Sequence, residues 1–273
     1  MALADEFDGF LIDLDGVVWI GREPVAGAVE TLAALLAAGK QLVFVTNNPG
    51  KPPAAYAERL RSLGVEVGAE RIVTAGMVAA RLAAAAAETG GGAFVIGGAP
   101  LQEMVAARGV RLLEGDAARG AGVVVVSGHR GFDFEELLTA KRALDAGAAL
   151  VATSRDPTMP MPGGEWPGTG SILAAVETAS GRTAEIAGKP ERHLFEMALE
   201  ALTRGSFGTD GVPKEPRDLR VAMVGDRVSS DIEGGKRAGL TTILVLSGTE
   251  SEDRAAAEPR PDHVVDDLAA LLR

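Results

Sequence analysis

The chain of 273 residues contains no cysteine. That absence excludes disulfides, thiolate nucleophiles and every zinc or iron–sulfur site built on Cys. Histidine is scarce as well: His129, His193 and His263 are scattered, so a His-rich metal centre is not expected. Apolar runs stop short of the roughly 18 residues a membrane span needs. The opening Met1-Ala2-Leu3-Ala4-Asp5-Glu6 lacks the basic start and apolar stretch of a secretory leader, and the expected location is the cytoplasm. Positive charge is in deficit, with 27 Lys and Arg against 38 Asp and Glu and a formal charge of -11. Nucleic acid and anionic membrane are therefore not expected as partners. What is present is a globular composition, 47% hydrophobic and 24% charged, in a chain long enough for one large domain or two smaller ones.

The first informative stretch is Phe10-Leu11-Ile12-Asp13-Leu14-Asp15-Gly16-Val17-Val18-Trp19. Phe10, Leu11 and Ile12 are apolar without alternation, the pattern of a strand covered on both faces. Asp13 and Asp15 emerge at its carboxyl end. Like charges this close resist joint ionisation, so either a cation neutralises them or the two carry different protonation roles; an ordinary Asp-Gly turn is the competing reading. Val29, Leu32, Leu35 and Leu36 then recur at helical spacing up to Gly39, and Leu42-Val43-Phe44-Val45 forms a second apolar strand running into Thr46-Asn47-Asn48-Pro49-Gly50. Strand, helix, strand implies a right-handed parallel unit, which places Thr46 beside Asp13 and Asp15. A hydroxyl in a turn of backbone N–H groups suits phosphate oxygens, and the same five residues also suit a plain turn.

Tyr56, Leu60 and Leu63 mark another helix, and Ile72-Val73-Thr74 a third strand. Ala79 to Gly92 reads as an alanine helix with a glycine stop. Alternation then restarts: strands at Ala93–Ile96, Val110–Leu113, Gly122–Val126 and Ala149–Thr153, and helices at Leu101–Arg108 and Phe134–Ala146. Residues 78–183 are therefore expected to form a second α/β module inserted between 1–77 and 184–273. Trp166, between Gly164 and Pro167, is expected in a loop of that module. After it, Glu185-Ile186 leads to Gly188-Lys189-Pro190, with Lys189 held at the start of a helix carrying Leu194, Met197, Ala198 and Leu202. A lysine there opposes the helix dipole and suits a phosphate better than a structural role. Residues 205–217 form a polar loop without assignable chemistry. Arg220–Val224 is a further buried strand, ending in Gly225-Asp226 with Asp231 five residues on; carboxylates so placed suit a hard cation. Strands at Thr242–Leu246 and His263–Val265 and a helix at Asp267–Leu272 complete the chain.

These stretches, each after an apolar strand and in this order, resemble the haloacid dehalogenase superfamily of phosphohydrolases. The narrower resemblance is to the NagD-like and p-nitrophenyl phosphatase-like group with a large α/β cap. It rests on Asp13-Leu14-Asp15-Gly16-Val17, Thr46-Asn47-Asn48, Gly188-Lys189-Pro190 and Gly225-Asp226-Arg227 with Asp231. Thr153-Ser154-Arg155-Asp156 and Pro167-Gly168-Thr169-Gly170-Ser171 also look like that group's cap. Val228-Ser229-Ser230 departs from the more usual Leu-x-Thr, and the 205–217 loop is longer than the group's pattern.

The resemblance implies an α/β fold with a Rossmann-like parallel-sheet core (1–77 and 184–273) and an inserted cap (78–183) that selects substrate. It implies a Mg²⁺-dependent phosphomonoester hydrolase acting on a small phosphorylated metabolite, and it admits a homodimer through the cap. Asp13 is implied as the nucleophile that becomes an aspartyl-phosphate and Asp15 as the acid and base. Mg²⁺ would be held by Asp13, the Asp15 carbonyl and Asp226, supported by Asp231. Thr46, Lys189 and the Asn47 backbone would take the phosphoryl oxygens, Asn48 would orient the turn or Asp13, and Arg155 and Asp156 would contact substrate from the cap. Two other classes compete: a phosphate-ester binding or regulatory protein without turnover, and a dinucleotide-binding domain. Retention of Asp13, Asp15, Lys189 and Asp226 counts against the first, and the lack of G-x-G-x-x-G after the first strand against the second.

Overall fold

A computed structural model describes residues 2–87, 91–161, 164–204, 218–248 and 258–273. In chain order its elements are β1 (Gly9–Asp13), β2 (Trp19–Ile20), β3 (Glu23–Pro24), α1 (Ala28–Ala37), β4 (Gln41–Thr46), α2 (Pro53–Ser62), β5 (Ile72–Thr74) and α3 (Ala75–Ala87). There follow β6 (Ala93–Ile96), α4 (Ala99–Ala106), β7 (Val123–Val126), α5 (Phe134–Asp145), β8 (Ala149–Ala152), β9 (Thr158–Met161), β10 (Gly164–Pro167), α6 (Thr169–Ser180) and β11 (Glu185–Ile186). The chain closes with α7 (Arg192–Thr203), β12 (Val221–Gly225), α8 (Glu233–Arg237), β13 (Thr241–Val245) and β14 (His263–Val265).

Two compact units result, one of residues 1–46, 53–73 and 189–273, the other of 47–52 and 74–188. Residues 47–52 fall in the second unit and not with the rest of 1–77, and the divisions placed at 77/78 and 183/184 lie at 73/74 and 188/189. The reason at the second division is pairing: Glu185 and Ile186 lie opposite Val151 and Ala152 and extend the second unit's sheet.

The first unit carries a six-stranded sheet in the order β14-β13-β12-β1-β4-β5. The β14–β13, β13–β12, β12–β1 and β1–β4 pairs are all parallel. Every residue of β1 is buried, as its unbroken apolar run predicts for a central parallel strand. On one face Phe10, Ile12 and Phe44 pack with Leu32 and Leu35 of α1, Leu60 of α2, and Leu268 and Leu271 of a terminal 3-10 turn. On the other, α7 lies against β1 and β4. The α8 segment enters through two adjacent glycines. A Cβ on Gly234 would meet the Phe195 ring at 2.3 Å, and one on Gly235 the Thr242 side chain at 2.7 Å. Larger residues there would push α8 off both α7 and the sheet.

The second unit has a four-stranded parallel sheet, β11-β8-β7-β6. Its central strand is four buried valines, Val123–Val126. Leu144 of α5 and Leu173 and Val176 of α6 cover it.

Parallel sheets with flanking helices are the architecture expected from the sequence, with local corrections. Val110–Leu113 is not a strand, since only Leu112 bridges to Ala93. Trp166 sits in β10 of a hairpin, opposite Met159, rather than in a loop, and the Arg130 guanidinium lies 4.8 Å from its ring centroid. The helix after Lys189 begins only at Arg192, with Glu191 as its N-cap, so Lys189 precedes the helix. The 205–217 loop lies outside the described residues. Among the described residues, no helix is long and apolar enough to cross a membrane.

Candidate active site

Register brings the first unit's chemistry to one edge. Asp13, the last residue of β1, pairs with Val45 of β4, so Thr46 lies one step beyond it. On the other flank Ile12 pairs with Val224 of β12, which ends at Gly225 with Asp226 next. Three adjacent parallel strands therefore deliver Asp13, Thr46 and Asp226 at their carboxyl ends. Because β4 and β12 flank β1 on opposite sides, this is the switch point where open α/β sheets place their ligands.

Lys189 ties the cluster together. Its buried Nζ donates to Asp13 Oδ1 at 2.6 Å and to Asp231 Oδ1 at 2.6 Å. The other Asp231 oxygen accepts the Arg227 backbone N–H at 3.1 Å; the neighbouring contribution of Arg227 thus comes from its main chain. Asp13, Asp226 and Asp231 are all buried, and one carboxylate oxygen from each lies within 4.8 Å of the other two. Burial pushes the Asp13 carboxyl well above the ordinary carboxylate range; Lys189 counters this, while Asp231 and Asp226 push the same way as burial. Desolvation alone would lower the Lys189 ammonium, yet Asp13 and Asp231 hold it above its ordinary value. Among the described residues, the Lys189 ammonium bonds two members of a cluster of three carboxylates. Such a donor set, all oxygen and in excess of negative charge, fits a hard divalent cation.

Glycines make the approach possible. Gly16 has φ +92, and a Cβ on it would sit 2.3 Å from Asp226 Oδ2. One on Gly225 would sit 2.2 Å from Asp231 Cβ, and one on Gly248 2.1 Å from Asp226 Oδ2. Ser247 Oγ donates to the Gly16 carbonyl at 2.8 Å, fastening the segment after β13 over the Asp13–Gly16 turn. Gly16→Ala is therefore expected to lower stability by about 1–3 kcal/mol, read as an earlier thermal midpoint. An unchanged midpoint would show that the turn tolerates a side chain.

Asp15 is exposed, unlike its neighbours. The fully buried Trp19 donates its indole N–H to Asp15 Oδ1 at 2.9 Å. Arg59 of α2 lies 3.8 Å over the same ring and donates to the Gly21 carbonyl at 2.8 Å. Burial, and after it the Asp15 charge, holds the Tyr56 phenol above its ordinary value.

The remaining predicted residues belong to the second unit. Asn47 donates to Asp156 Oδ2 at 3.2 Å, and Gly188 makes room for it, since a Cβ there would fall 2.4 Å from Asn47 Oδ1. Asn48 Oδ1 accepts the Gly50 N–H at 2.9 Å, closing the turn on itself. Arg155, exposed, forks onto Glu177 with bonds of 2.8 and 2.7 Å, and this bonding lowers the Glu177 carboxyl. Asn47 and Asp156 are thus brought together, whereas Arg155 is engaged with a helix residue. Trp19, Ser247 and Gly248 were not anticipated from the sequence. Leu246-Ser247-Gly248 carried a usable signal, since it follows the strand next to β12 at the same sheet edge.

Residues 10–111 match the family model described as haloacid dehalogenase-like hydrolase, and residues 186–271 one described as HAD-hydrolase-like. The chain is 38% identical over 280 residues to chronophin of Mus musculus, covering 97% of this chain and 91% of that protein. A magnesium complex of a glycerol phosphate phosphatase from Mycobacterium tuberculosis superposes with a TM-score of 0.86 at 36% identity, over 100% of this chain and 78% of the other. For p-nitrophenyl phosphatase from Archaeoglobus fulgidus the TM-score is 0.84 at 30% identity, over 98% of each chain. The chain belongs to the haloacid dehalogenase-like hydrolases, and within them to the phosphatases.

Proposed function

We propose that this phosphatase hydrolyses the phosphomonoester of a small phosphorylated metabolite through an aspartyl-phosphate on Asp13, with Mg²⁺ as its metal. The observation that carries the reading is the Lys189 bridge between Asp13 and Asp231, set beside buried Asp226 and exposed Asp15. Asp13, the Asp15 carbonyl and Asp226 would hold Mg²⁺, with Asp231 in support. When bound, the ion offsets the excess carboxylate charge and draws charge from the phosphoryl oxygens.

The chain's own groups divide the remaining work. An Asp13 oxygen attacks phosphorus as the ester P–O bond breaks, and Asp15 gives a proton to the departing alkoxide. Asp15 then takes a proton from the water that releases phosphate and regenerates Asp13. Lys189, Thr46 and the following backbone N–H meet the charge that spreads over the equatorial oxygens, donors fixed before the reaction begins. Lys189 also aims the nucleophile, since it holds one Asp13 oxygen and leaves the other for phosphorus. Choice among esters is assigned to the second unit, with Arg155 and Asp156 as its contacts.

The mycobacterial relative's name supports glycerol phosphate as the first substrate to try. Phosphoglycolate, nucleoside monophosphates, sugar phosphates and pyridoxal phosphate satisfy the same core chemistry. A panel of these with p-nitrophenyl phosphate is expected to release phosphate only with Mg²⁺, with glycerol phosphate among the best, and chelation to stop it. Failure of every ester in the presence of Mg²⁺ would overturn the reading.

A further inference from the structure

Among the described residues, Asp15 differs from the other acids of this cluster. Asp13, Asp226 and Asp231 are buried, two of them clamped by a lysine, whereas Asp15 is exposed. An exposed carboxylate on a turn would ordinarily swing among rotamers. Here one oxygen is fixed by a rigid donor, the Trp19 indole N–H at 2.9 Å. The indole cannot move to release it. Trp19 is fully buried, its backbone N–H reaches the Leu14 carbonyl at 3.2 Å, and its carbonyl accepts the Gly16 N–H at 2.7 Å. The outer ring face is closed by the Arg59 guanidinium at 3.8 Å, itself anchored on the Gly21 carbonyl at 2.8 Å. Helix, hairpin and nucleophile turn are thereby locked around one carboxylate.

The indole N–H also has a single chemical capacity: it donates and never accepts. The oxygen it holds, Oδ1, must therefore remain an acceptor, and Oδ2 is the oxygen free to face the leaving group. We infer that Trp19, braced by Arg59, is a positioning residue for the proton-transfer step, fixing which Asp15 oxygen serves the departing alcohol. The inference rests on the hydrolytic reading above, in which an Asp13 oxygen–phosphorus bond forms, the ester phosphorus–oxygen bond breaks, and the freed electron pair takes the proton from Asp15.

Leaving-group dependence separates this role from a structural one. An alkyl alcohol leaves poorly and needs the proton; p-nitrophenolate leaves readily without it. Trp19→Phe keeps an aromatic ring under Arg59 and removes the donor. On glycerol phosphate its kcat is expected to fall about 10- to 100-fold, the scale of a misaligned catalytic group, with KM within a factor of about three. On p-nitrophenyl phosphate the burst of p-nitrophenol, which reports the phosphorylation of Asp13 alone, should keep its rate within about threefold of the parent chain, while steady-state turnover on that ester falls with the water step that Asp15 also serves. Added to Asp15→Asn, the same change should cost little more, because residues acting as one unit are not additive. A fall in the p-nitrophenol burst rate as large as the fall in kcat on glycerol phosphate, or a full additional loss in the double variant, would overturn the inference. If Trp19→Phe does not fold by circular dichroism, Arg59→Gln supplies the test, with the same ester contrast expected at smaller size and an even loss overturning it. A parent chain that releases phosphate from no ester would instead remove the hydrolytic reading, and this inference with it.

Discussion

Asp13→Asn is expected to leave the fold intact and lower phosphate release by about 10⁴-fold or more, the scale on which removal of a covalent nucleophile acts. The amide has nearly the shape of the carboxylate but cannot displace an alkoxide from phosphorus. Stability should move in the opposite direction. Asp13 is buried beside Asp226 and Asp231, and burial already disfavours its charged form, so a neutral side chain relieves repulsion while Lys189 keeps its bond to Asp231. In metal-free buffer the thermal midpoint is expected to be equal to or above that of the parent chain. Activity and stability are opposed at this position, as at other sites where charge is concentrated for function. Retention of parental activity in Asp13→Asn would eliminate the covalent route.

Lys189→Met carries the second large effect, and it acts on stability and turnover together. The ammonium is 4% exposed and bridges two buried carboxylates. Methionine fills similar volume but leaves both acids without their cation, and breaking a buried pair in this way costs about 3–5 kcal/mol. Without metal the first unit should therefore unfold at clearly lower temperature or denaturant. Mg²⁺ should return part of the loss, because a ligand that binds only the folded state stabilises it. Turnover should remain low even with Mg²⁺, since the phosphoryl oxygens have lost a fixed donor. A variant as stable as the parent in metal-free buffer would show that the bridge is not what compensates these carboxylates.

The parts of this architecture legible in the sequence are those whose physics is one-dimensional. A central parallel strand must be apolar on both faces, so β1, β4 and β12 announced themselves, and each was followed at once by its polar residues. Parallel connection then places Asp13, Thr46 and Asp226 on a common edge. Pairings of one or two residues left no such trace. The β2–β3 hairpin spans Trp19–Ile20 and Glu23–Pro24, too short for a period to form, and the Trp19 bond to Asp15 that depends on it leaves no pattern in the sequence. Val110–Leu113 misled for the converse reason, since an apolar segment can be buried without joining a ladder: only Leu112 bridges. Glu185-Ile186 looked like the re-entry into the first unit because Lys189 follows so closely, yet its hydrogen bonds go to β8. Gly234 and Gly235 read as weak helix formers; the Phe195 and Thr242 side chains that require them lie on other elements.

The charge arrangement was only half legible. Two acids separated by one residue implied either a cation or divided protonation roles, and the structure separates them by environment. Asp13 is enclosed with Lys189, Asp226 and Asp231, whereas Asp15 stands exposed with one oxygen held by an indole. Burial could not be assigned to one and exposure to the other from the sequence, because it depends on the Gly16 turn and on the Ser247 hydroxyl that fastens it.

Stereochemistry at phosphorus tests the covalent route most directly. A thiophosphate ester made chiral with two oxygen isotopes is hydrolysed with Mg²⁺ in water of the third isotope, and the configuration of the released thiophosphate is read. Attack by Asp13 followed by attack of water inverts the centre twice, so the account predicts net retention. Net inversion would mean that water displaces the alcohol in one step and would contradict it.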